Sequence, residues 1–171
     1  MTNRRILISG ITALGLAAPL LASTASTAAA TSGRTIDLYG VTQSQVLQNA
    51  HRKAISPDTE IAVGDYIVKT KKVYKGTQGN HAAIGDGTVT TRCHVVKLVT
   101  QSKGTTACTA TWSAGGSTLT AGPITAPFQG PQKHFTLNIS NGTGTYAGAH
   151  GTWTVTRLNK NGNEFVLHLS A

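Results

Sequence analysis

The sequence predicts an all-β protein: an eight-stranded antiparallel up-and-down barrel. Three observations carry that expectation. The chain beyond its first thirty residues is rich in Thr, Val and Gly. Strand signals recur with turn residues between them, and long amphipathic helical patterns are few. Eight such segments follow one another in sequence, which suggests closure into a cylinder. A two-sheet sandwich is the alternative from pattern alone. With eight strands, the interior is either filled by side chains or just wide enough for one small ligand.

The elements run in order. Arg34 to Thr42 reads as a first strand, with Ile36, Leu38 and Val41 apolar. Gln43 to Glu60 is polar, and Gln45 to Ala54 fits a short helix that ends before Pro57. Asp65 to Tyr74 is the second strand, and Gly76 to Gly87 a glycine-rich loop. Thr88 to Val99, Thr105 to Trp112 and Ser117 to Ala121 are the third to fifth. Pro123 to Pro131 reads as a loop, because proline donates nothing to a ladder. His134 to Ser140 is the sixth strand, with Phe135, Leu137 and Ile139 on one face, and Asn141 to Gly144 is a turn. Gly151 to Leu158 and Glu164 to Leu169 complete the set. Asn161-Gly162, between the last two, is a strong hairpin signal.

The first thirty residues are read as a targeting segment rather than fold. Arg4 and Arg5 precede an apolar run from Ile6 to Leu21, and Ala28-Ala29-Ala30 offers a cleavage site. The paired arginines before Ile6, Leu7 and Ile8 also fit the twin-arginine pattern, with an ordinary secretory signal as the alternative. The run is too short and too rich in small residues to span a membrane well. The expected organisation is a signal peptide over residues 1–30 and one barrel domain over residues 31–171, in a secreted bacterial protein.

With Arg4 and Arg5 set aside, 13 of the 15 Lys and Arg remain, against 6 Asp and Glu. That balance favours anionic partners. Lys69, Lys71, Lys72 and Lys75 form the densest group and share one predicted strand. They form no long block and are not interleaved with aromatics. They therefore read as a solvated basic face, not a nucleic-acid site.

Cys93 and Cys108 fall in consecutive predicted strands around a turn at Gly104. In an exported chain a cross-strand disulfide is expected; two free thiols, or a reactive Cys93, are the alternatives.

The segment Asn141-Gly-Thr-Gly-Thr-Tyr-Ala-Gly-Ala-His-Gly151 resembles a glycine-rich signature of allene oxide cyclases and, more loosely, of dirigent proteins. Four further matches keep the same order: Gly64-Asp65 with Thr70 to Gly76, Cys93 to Val96, Thr109 to Ser113, and Gly122-Pro123. The resemblance spans Gly64 to Leu169 and implies an eight-stranded antiparallel barrel. It implies an apolar substrate held inside and steered, without a cofactor, through an isomerase-type cyclisation or a stereoselective coupling. It also admits a homo-oligomer. Of the polar groups expected of the cyclases, the cysteine falls on Cys93, and an asparagine position is taken by Lys71. The first strand, Asp37 to Thr42, carries no Glu-x-Asn pair.

Cys93, Lys71 and Tyr74 are accordingly the candidate catalytic residues. Trp112 and Trp153, with Tyr74, are candidates to line the ligand pocket; closing the barrel's packing is their alternative role. Asp65 and Asp86 each adjoin a glycine at a strand entrance, where turn capping is expected. The six histidines show no metal-ligand spacing, and Cys93 and His94 point to opposite faces of a strand, so no metal site is expected. No Gly-x-Ser-x-Gly elbow and no phosphate-binding glycine loop occur. The glycines from Gly142 to Gly151 are expected to serve tight turning and close strand approach. Two functions follow: a barrel that binds and steers a small apolar molecule, or a non-catalytic binding or scaffold module with a basic surface.

Overall fold

A computed structural model describes residues 33–127 and 133–170. The expected signal peptide lies outside the described residues.

The chain forms β1 (Arg34–Gln48), β2 (Ala54–Ile55), β3 (Tyr66–Thr77), β4 (Asn80–His81) and β5 (Gly87–Thr100). These are followed by β6 (Lys103–Ala114), β7 (Ser117–Pro127), β8 (His134–Thr143), β9 (His150–Arg157) and β10 (Gly162–Ser170). β2 and β4 are two-residue ladders at the margins. The other strands pair antiparallel in sequence order, and β1 bonds to both β10 and β3, which closes the cylinder. The eight-stranded up-and-down barrel is thus the architecture, with the β7–β8 ladder confined to Thr118–Ala121 against Ile139–Thr143.

Three local expectations are corrected. The turn expected over Asn141 to Gly144 is strand through Thr143, paired with β7. The helix expected over Gln45 to Ala54 is absent. β1 instead continues to Gln48 across a bulge between Thr42 and Ser44, with Gln45 opposite Lys69 and Leu47 opposite Ile67. Pairing along the whole length of β3 outweighs the weak local pattern, as tertiary context commonly does for strands. Pro123 to Pro127 likewise belongs to β7 and not to a loop. The ladder shifts register there: Ala121 faces Ala110 while Ile124 faces Cys108, and a cis Gly122-Pro123 bond sits in the interruption. A bulge is where a strand tolerates a residue without an N–H. The remainder of that expected loop, residues 128–131, lies outside the described residues.

Strand alternation sets what the lumen contains. Leu38, Val73, Val89, Trp112, Leu119 and Trp153 are fully or almost fully buried and fill one part of it. Trp153 meets Phe165 edge to face, with ring centroids 5.9 Å apart. Phe165 lies across Gly40 of β1, where a Cβ would collide with its ring. The missing side chain on β1 therefore makes room for the aromatic from β10, which ends the packed layer.

Candidate functional site

Beyond Phe165 the lumen opens into a cavity of about 460 Å³. That lies within the range of small-molecule sites. Its floor and walls are apolar: Ala110, Leu137, Val155 and Phe165 are buried, with Ile67 and Phe135 half-buried. Each comes from the inward register of its strand, an even number of residues from a core position. Val155 follows Trp153 in this way, Ala110 precedes Trp112, and Phe165 precedes Leu167.

The mouth is cationic. Lys69 and Lys71 of β3 and Arg157 of β9 line it, together with Lys160 of the β9–β10 turn. Lys71 is 6% exposed. Its Nζ donates to Thr42 Oγ1 at 2.5 Å and to the Asn161 carbonyl at 3.4 Å. Thr42 sits beside the β1 bulge, and Asn161 is in a turn held by Asn159, whose Oδ1 accepts N–H bonds from Asn161 and Gly162. Lys71 thus ties two irregular pieces of backbone to the barrel wall. Burial lowers its pKa from the ordinary lysine value to about 8, and the positive charges of Lys69 and Arg157 push the same way. Lys69 is lowered too, by burial first and then by Arg157.

The candidate residues are distributed unevenly over this geometry. Lys71 and Cys93 line the cavity. Cys93 is bonded to Cys108, directly opposite it on β6, with an S–S distance of 2.07 Å. In that state it has no thiolate to offer as a nucleophile. Tyr74 is not among the lining residues; with Tyr39 it packs around His81, whose ring centroid lies 5.1 Å from each. Trp112 and Trp153 are 2% and 0% exposed in the packed layer, and neither lines the cavity. The turn-capping expectation for Asp65 is met: its Oδ2 accepts the Ala62 N–H at 2.8 Å. The basic group on β3 is not a single solvated face. Lys72 and Lys75 are exposed, whereas Lys69 and Lys71 turn inward on the side of Val73.

Sequence reasoning passed over Lys69, Arg157 and Lys160 as site residues. Alternation held a signal for two of them. Lys69 and Lys71 precede Val73 at steps of two, and Arg157 continues the inward series Trp153, Val155. Nothing local marks Lys160, whose placement depends on how the turn folds over the rim.

The disulfide forms part of the cavity wall, and it closes a sequence separation of 15 residues. Replacing Cys93 and Cys108 together by alanine is expected to cost about 2–4 kcal/mol. Denaturant unfolding of the variant, set against the native protein with and without reductant, checks this. An unchanged midpoint in both comparisons would mean that the bridge contributes no stability.

These features define a closed eight-stranded antiparallel barrel, packed in one part and hollow in the other. Among solved structures, the chain is similar to a pyocyanin demethylase, with a TM-score of 0.55 and 20% identity over 80% of this chain and 100% of that one. It is also similar to a pterocarpan synthase dirigent protein, with a TM-score of 0.50 and 14% identity over 81% of this chain and 86% of that one. No family model and no curated protein matches the sequence. At these identities the likeness concerns the fold. Among the described residues, no helix is long and apolar enough to cross a membrane.

Proposed function

We propose that the chain is an exported barrel that binds a small, largely apolar molecule in its cavity. Residues 1–30 serve as the export signal and are then cleaved off, and the disulfide accords with an oxidising compartment. The observation that carries the reading is a hollow of about 460 Å³ lined by both apolar and cationic side chains, next to a packed layer of the lumen. A bound molecule screened from water and held in one conformation is set up for a cofactor-independent cyclisation or stereoselective coupling. The names of the two structural neighbours denote work on small molecules, which agrees with this reading. Lys71 is the one residue of the three catalytic candidates that both faces the cavity and keeps a titratable group.

Native mass spectrometry of the protein against a panel of apolar and amphipathic small molecules tests the reading. Thr91→Trp serves as the blocked form, because Thr91 is half-buried on the cavity wall and a larger ring has the hollow to grow into. At least one compound is expected to bind the native protein and to be lost from the variant, with the unfolding midpoint unchanged. A panel in which nothing binds, or binds both forms equally, would remove the cavity from consideration.

A second reading, a non-catalytic module with a basic exterior, is favoured by the bonded state of Cys93 and the exposure of Lys72, Lys75, Lys97 and Lys103. Salt-sensitive binding to anionic polymers, unaffected by Thr91→Trp, is its signature.

A further inference from the structure

We infer that the cavity mouth is an anion site, and that its ligand is a compact apolar molecule carrying one negatively charged group of the carboxylate or sulfonate class. The inference rests on the reading of the cavity as a ligand site and specifies what enters it.

The argument is one of charge balance. Lys69, Lys71, Arg157 and Lys160 all line the cavity, and none of the six Asp and Glu residues does. Residues 1–32 and 128–132 contain no Asp or Glu, so the sequence supplies no acidic side chain from there either. A charge withdrawn from water is costly unless it is paired. Lys71 is withdrawn and, among the described residues, meets only neutral oxygens, those of Thr42 and Asn161. An ammonium has three N–H donors, so these two contacts leave one for a ligand. Arg157 adds a planar fork suited to two oxygens of one anionic group. At neutral pH the Lys71 ammonium form prevails, since its pKa is about 8.

The axis of the barrel then orders the ligand. Phe165, Val155 and Leu137 offer nothing to a charge, and the cations at the mouth offer nothing to a hydrocarbon. An amphipathic anion satisfies both ends at once, with its body down and its charged group at the rim. Like-signed walls around a low-dielectric hollow also focus the field outward and favour capture of anions from solution.

Two probes with the same aromatic body separate this inference from the reading beneath it: anilinonaphthalene sulfonate, and the same anilinonaphthalene without the sulfonate. Fluorescence titration of the purified protein is expected to give about 10-fold or more tighter binding of the sulfonate at low ionic strength. That advantage is expected to shrink as salt is added. Loss of both signals in Thr91→Trp would place the probes in the cavity. Arg157→Gln together with Lys69→Gln is expected to bring the sulfonate close to the neutral probe while leaving the neutral probe's Kd unchanged. Lys160→Gln, in an exposed turn, gives a smaller loss in the same direction without touching the barrel. Equal, salt-independent affinity for the two probes would overturn the anion site and leave the cavity reading standing. Binding of neither probe would overturn both.

Discussion

Gly151→Val is expected to destabilise the barrel by at least about 3 kcal/mol. Gly151 sits in β9 between Ile139 of β8 and Leu169 of β10, with φ at +132°. Two independent costs meet there. L-residues rarely adopt that backbone conformation. A Cβ would also be driven into the carbonyl oxygen of His168 on the neighbouring strand, where backbone and not a flexible side chain must yield. Gly151→Ala should therefore do nearly as much damage as valine. Gly148 provides the comparison: its φ is +77°, but a Cβ there meets nothing within 4 Å. Gly148→Val is expected to carry the conformational cost alone, about 1–2 kcal/mol. Urea unfolding of the three variants measures the difference. Equal losses at the two positions would refute the steric account.

Trp153→Ala is expected to cost about 3–5 kcal/mol, the range for removing a large aromatic from a packed core. Trp153 is 0% exposed and braces Phe165, whose ring lies over Gly40 and floors the cavity. The loss should thus reach the site as well as the fold, with weaker binding of any cavity ligand. Trp153→Phe is the informative companion. The indole Nε1 has no hydrogen-bond partner among the described residues, and phenylalanine removes that donor while keeping a ring in place. Its cost should be well below that of alanine. Near-native stability of Trp153→Ala in denaturant titration would mean that this layer is not packed as described.

The two tryptophans show how the site escaped a residue-by-residue reading. Aromatics in a barrel invite assignment to a pocket, yet Trp112 and Trp153 occupy the layer that closes the lumen, and smaller neighbours border the hollow. Residue type reports how much surface a side chain can bury. It does not report at which height along the axis the lumen stops being full. Tyr74 erred on the other coordinate. It falls one step from Val73, and alternation turns it outward to Tyr39 and His81. Lys71, two steps from Val73, was legible by the same rule. The cationic rim was not, because Lys69 and Lys71 come from one stretch of chain and Arg157 and Lys160 from another, distant one.

What the sequence determined by itself was the class of fold and most of its strands. Period-two alternation and turn residues are local, so His134 to Ser140 and the Asn161-Gly162 turn could be read where they stood. The placement of Cys93 and Cys108 in adjacent strands was equally local, and the two face each other across the β5–β6 ladder. Only the tertiary structure decided the rest. Register across the closed sheet extended β1 through Gln48 in place of a helix and carried β7 through Pro123 at a bulge. Closure then set Phe165 across Gly40 and divided the lumen into a packed part and a hollow one with four cations at its mouth. Those outcomes depend on contacts between distant segments, whose geometry exists only after the first and last strands have met.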